Sequence, residues 1–236
     1  MPKQLKDFTD LRQHQWCIHC KRPKDDLLLN RDHVPSKSLV DKEYYHELQV
    51  TEICKKCNDS FSLDEEYFLA FLSAVLSGST QPEVQIIVKA KEKFRGNPSL
   101  VKRISAQEKT YETQDGNVRS IWEPELNRIR NVVLKNARGH YYHECGEPLL
   151  DDPLQVFFSP LEFVEPKALE EAFSTGGVSG WAEVGSRWNR RIVNENIFDS
   201  DGFAVVQPDV YKFKIYTEHA RVDTVIRNYL YTSVIW

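Results

Sequence analysis

Cys17-Ile18-His19-Cys20 and Cys54-Lys55-Lys56-Cys57-Asn58, with Arg31-Asp32-His33-Val34-Pro35 between them, are the stretch on which the reading of the chain turns. Two C-x-x-C pairs offer four thiolates, the tetrahedral sulfur shell that structural Zn2+ prefers. Each pair can close a small knuckle, so Cys17, Cys20, Cys54 and Cys57 would clamp two distant segments around one ion. Such an ion replaces the core that a short segment cannot build, with a contribution on the order of 10–16 kcal/mol in small peptide modules. The competing reading is a redox dithiol, for which one C-x-x-C suffices and a βαβ setting is expected; neither pair follows one. His19, inside a knuckle, reads as exposed and not as a ligand. Cys145 stands apart.

Working outward, the 236 residues suit either one large domain or a small module joined to an ordinary one. The net charge of −4 argues against a protein that coats nucleic acid by bulk electrostatics, without excluding a local basic surface. No apolar run reaches the length of a membrane span, and Met1–Asp10 is too polar for a secretory signal, so the expected location is the cytoplasm.

Ser62-Leu63-Asp64-Glu65 has the form of a capping box, and Phe68, Leu69, Leu72, Val75 and Leu76 then recur at helical spacing. Ser77 to Pro82 marks a boundary. Pro82–Leu100 reads as a helix, Asp115-Gly116 as the turn of a hairpin, and Pro124–His143 as a helix with Leu126, Ile129, Val133, Ala137 and Tyr141 on one face. Strands are expected at Val156–Phe158, Trp181–Val184, Ala204–Val206, Tyr211–Tyr216 and Tyr229–Ile235. The expected division is a metal module over 1–78 and an accessory α+β domain over 79–236, helical over 82–145 and strand-rich over 150–236.

Asp-His-Val-Pro followed by C-x-x-C-Asn and a helix resembles the HNH (ββα-metal) endonuclease family, in its zinc-containing branch with paired C-x-x-C. The resemblance covers Trp16 to about Leu76. It implies a zinc-stapled ββα module at the N-terminus; with the patterning beyond it, the expected fold class is α+β, the module being followed by a helical segment and a C-terminal α+β domain. It implies that Asp32 ligates a catalytic Mg2+ or Mn2+, that His33 is the general base, and that Asn58 orients His33 or pins the loop. The last ligand of the family's motif is replaced here by Glu65 or Glu66. If Ser62 caps the helix, Glu65 is drawn to the cap and Glu66 is freer, so Glu66 is preferred with Glu65 in reserve. The chemistry is coherent: a neutral imidazole activates water at cellular pH, and a dication on hard oxygen ligands relieves charge on phosphorus.

The implied function is DNA cleavage by an endonuclease or nickase, with DNA as partner. A homodimer or other proteins of a phage-defence or restriction system are further candidate partners. The reading from another class is a non-catalytic zinc-stapled nucleic-acid-binding module of a larger complex.

Residues 85–143 hold twelve Lys/Arg against six Asp/Glu. On the helix after Pro124, Arg128, Asn131, Lys135, Arg138 and Tyr142 follow helical spacing opposite the apolar stripe. They read equally as a phosphate-tracking face or a plain solvated one. Arg31, Lys37, Lys55 and Lys56 are the expected contacts near the scissile phosphate. His140, His143 and Cys145 read as a packed helix end rather than a metal site.

Overall fold

The computed structural model describes residues 6, 8–112, 115–173, 182–194 and 197–236. The chain is a mixed α+β protein. Strands β1 (Leu29–Val34) and β2 (Gln49–Cys54) form an antiparallel pair, and α1 (Lys55–Ser77) begins at the next residue. Helices α2 (Val88–Gly96) and α3 (Pro98–Ser105) follow, then a hairpin of β3 (Glu108–Glu112) and β4 (Val118–Trp122), and α4 (Leu126–Cys145). Next come β5 (Gln155–Pro160), α5 (Pro166–Phe173), α6 (Arg187–Asn194), β6 (Ala204–Gln207), β7 (Tyr211–Tyr216), β8 (Arg221–Ile226) and β9 (Leu230–Ile235). The last five strands make one antiparallel sheet in the order β5-β9-β8-β7-β6. No described helix is long and apolar enough to cross a membrane.

Two compact units emerge: residues 1–59 with 133–236, and residues 60–132. The division falls inside α1 and α4.

In the first unit, α4 from Val133 onward is the spine. Val133, Ala137 and Tyr141 are buried as their spacing predicts. The opposite face is buried too. His140 stacks on Phe213 with ring centroids 4.0 Å apart, and its Nε2 lies 3.0 Å from the Tyr211 hydroxyl. Gly139 lets β1 approach closely, because a Cβ there would stand 2.7 Å from Val34 Cγ2. Lys135 and Arg138, read from spacing as part of a polar face open to phosphate, are 3% and 6% exposed, and Tyr142 is buried with them. That face is interior, closed by partners far upstream in the chain.

In the second unit, Leu69 and Leu76 of α1 pack with Ile87 and Ala90. Gln85 ties the turn after α1: it accepts from Ser73 Oγ at 2.7 Å and donates to the Ser79 carbonyl at 2.6 Å. That extended residue is why Pro82–Leu100 is not one helix. A 3-10 turn at Pro82–Val84 precedes α2, and Asn97 caps α3 by accepting from the Leu100 amide at 3.1 Å. The hairpin spans the Asp115-Gly116 turn as expected.

Two further expectations are corrected. Ser62 lies inside α1, so no capping box exists there and the argument separating Glu65 from Glu66 falls with it. The helix starts seven residues earlier because the Cys57 amide donates to Cys54 Sγ at 3.4 Å, a sulfur serving as cap. Trp181 lies outside the described residues, and 182–185 contain no strand, with 183–185 forming a bend and turn. Strand β8 was not expected, because Asp223 and Thr224 interrupt its apolar pattern. Both are buried, and Asp223 is satisfied by Arg221 at 2.8 Å and Tyr231 Oη at 2.9 Å.

Candidate metal centre and the strand beside it

The four cysteines converge. All four sulfurs lie within 4.8 Å of one another, and Cys20 Sγ stands 3.7 Å from Cys54 Sγ. A tetrahedron with Zn–S bonds of about 2.3 Å has edges of roughly 3.8 Å, so the spacing suits one Zn2+ and is far too long for a disulfide. Backbone amides support the shell: Cys54 N–H donates to Cys17 Sγ at 3.5 Å, as Cys57 N–H does to Cys54 Sγ.

The electrostatics are compatible with a dication. Burial, then the neighbouring sulfurs, push the Cys57 thiol far up, since crowded thiolates repel. Burial also raises Cys20, but hydrogen bonds from Arg22 and from the Cys17 and Cys54 thiols together outweigh it and bring that thiol down to about 6. A bound dication would offset the repulsion at Cys57 and favour all four groups as thiolates. These residues fit a structural zinc. Among the described residues they are the one group of three or more Cys, His, Asp or Glu side chains that closes on a common point.

The strand between the knuckles carries the rest. Its register with β2 is unbroken over six pairs, including Asp32↔Thr51 and His33↔Val50. Alternation therefore places Asp32 and Val34 on one face and His33 on the other. Asp32 is 6% exposed, while His33 is half-buried.

On the buried face Asp32 Oδ1 pairs with Lys135 Nζ at 2.7 Å. Lys135 also donates to Ser36 Oγ at 3.0 Å, and Asn136 Oδ1 accepts from the Ser36 amide at 2.7 Å. His19, expected on the surface, has a side chain only 5% exposed, with Nε2 4.0 Å from Asp32 Oδ2. Burial, reinforced by Lys135 and Arg138, lowers its pKa to about 3, so it is neutral.

The resemblance implies a catalytic dication at Asp32, and here the fit fails. The carboxylate is already neutralised by an ammonium, inside, on the face away from His33. Of the other implied residues, Asn58 sits half-buried in the first turn of α1. Glu65 is half-buried on α1, and Glu66 is ion-paired with Lys93 at 3.1 Å.

The expected phosphate contacts separate. Arg31, Lys37, Lys55 and Lys56 are exposed, Lys55 paired with Asp59 and Lys37 lying 5.2 Å over the Tyr45 ring. Arg128 is held by Asp64 and Glu125, each at 2.9 Å. The excess of cations counted over 85–143 does not persist in the folded unit either: residues 60–132 hold ten Lys/Arg and ten Asp/Glu. His140, His143 and Cys145 form a buried helix end.

Sequence reasoning missed Lys135 as the partner of Asp32. The one available signal was a lysine at helical spacing from Gly139, where a close approach could have been suspected. No protein-family profile matches the chain, and neither the curated proteins nor the solved structures contain a match.

Proposed function

We propose that the chain is a zinc-stapled nuclease of the HNH type, cutting DNA phosphodiester bonds with His33 as general base. The observation that carries this reading is continuity. The strand pair bearing Asp32-His33 runs into α1 without an intervening residue, and a cysteine knuckle sits at that junction. The knuckles would hold the hairpin and the start of the helix as one rigid piece, which a base positioned against phosphorus requires.

His33 takes the proton of the attacking water in this reading, on the strand face turned away from α4. Arg31, Lys37, Lys55 and Lys56 are exposed cations that would meet phosphate oxygens, Lys55 by exchanging its pairing with Asp59 and Lys37 by leaving the Tyr45 ring. No step is assigned to a dication at Asp32, because the Lys135 pair occupies that carboxylate.

That pair favours a second reading, a zinc-stapled module that binds nucleic acid without cutting it. One experiment separates the two. Purified, zinc-loaded protein is incubated with supercoiled plasmid, linear duplex and single-stranded DNA in Mg2+ or Mn2+, beside His33→Ala. Nicked circles from wild type and a loss of about 100-fold or more in the variant support the nuclease. Retarded but intact DNA in both proteins supports the binding module and sinks the enzyme.

A further inference from the structure

The geometry points to Asp32 as a positioning residue: its carboxylate clasps β1 to α4 through Lys135, fixes the strand that presents His33, and does not hold the catalytic cation. This rests on the nuclease reading only for its activity readout.

Three observations converge. The β1–β2 register is intact through Asp32↔Thr51 and His33↔Val50, so Asp32 cannot reach the His33 face unless that pairing breaks. The contacts on the other face come from successive positions of α4. Lys135 Nζ meets Asp32 at 2.7 Å and Ser36 at 3.0 Å, Asn136 takes the Ser36 amide and hydroxyl at 2.7 and 3.2 Å, and Gly139 admits Val34.

The surroundings are also closed to a second cation. The side chains of Lys135 and Asp32 are 3% and 7% exposed, and Arg138 reaches the His19 carbonyl at 3.5 Å just behind them. A dication on Asp32 would face an ammonium already in hydrogen-bond contact with its ligand, in a setting where like charges are poorly screened. A salt bridge this deep is strongly destabilising to break on one side and tolerant of neutral replacement on both.

The test is a cycle of Asp32→Asn, Lys135→Met and the double variant, read by thermal unfolding and by plasmid nicking against Mg2+ concentration. Each single change should lower the midpoint by roughly 10 °C, and the double change should regain most of that loss. The double variant should nick within about tenfold of wild type at an unchanged Mg2+ half-saturation. Folded Asp32→Asn should lose turnover and keep its Mg2+ dependence.

A double variant of near wild-type stability that no longer nicks, or needs about tenfold more Mg2+, makes Asp32 a ligand and overturns the proposal. Additive midpoints overturn it as well. If wild type cuts nothing, the nuclease reading fails by itself, and the thermal cycle alone decides whether the clasp exists.

Discussion

Arg191 Nε donates to Glu144 Oε2 at 2.6 Å, and neither side chain reaches solvent. The pair joins α6 to α4. Gln49 of β2 donates to the other oxygen of the same carboxylate, so one buried charge ties a helix pair to the β1–β2 hairpin. Removing the cation strands Glu144 in the interior. Arg191→Met should therefore cost about 3–5 kcal/mol in denaturant unfolding. Glu144→Gln combined with Arg191→Met should cost clearly less than the single change. A loss below about 1 kcal/mol for Arg191→Met would show that Glu144 reaches water in solution.

Zinc should be present at one ion per chain as purified. Stripping it with a chelator, or substituting Cys54→Ser, should unfold the segment from Cys17 to the start of α1, because Cys54 is one of the four converging thiols and its sulfur also caps that helix. Elemental analysis and circular dichroism before and after chelation check this. Protein free of metal whose unfolding midpoint ignores the chelator would remove the staple.

Acid should weaken the fold well before carboxylates titrate. Burial holds His140 at about 3, and burial together with Arg187, Arg191 and His140 drives His143 well down, so both are neutral in the folded chain. Unfolded histidines bind protons below about 6.5. Stability is thus complete above that value and lost as pH falls from there toward the folded values. For His140 alone the loss is about 2 kcal/mol at about pH 5. Unfolding free energies measured from neutral to mildly acid pH test it. His140→Gln should flatten part of the slope, and a curve equally steep in that variant would assign the acid sensitivity elsewhere.

What could be read from residues alone follows a physical divide. The cysteine knuckles were legible because a C-x-x-C spacing is itself the ligand geometry, and the stripe Ile129, Val133, Ala137 and Tyr141 because burial follows helical period, although Leu126, expected at the head of that stripe, is exposed. Lys135 and Arg138 were misread, since spacing marks the apolar stripe of a helix without telling whether the other side is also covered. Their partners Ser36 and His19 lie 99 and 119 residues upstream. The start of α1 was misplaced because a sulfur caps it where a serine was expected. Strand β8 was invisible because Asp223 interrupts the apolar pattern and is paid for by Arg221 and Tyr231.

The Ser36–Lys135 contact also bears on how the chain is made. Cys17 and Cys54 are 37 residues apart and both are translated before α4, so the knuckles could close around metal ahead of it. The covering surface, from Lys135 through Glu144, arrives only after the whole 60–132 unit has been translated. Until then the Asp32 face of the hairpin has no α4 to cover it, and a metal bound by the four cysteines would lock a half-covered segment. A zinc ion taken up during synthesis would hold the register of that segment until α4 arrives.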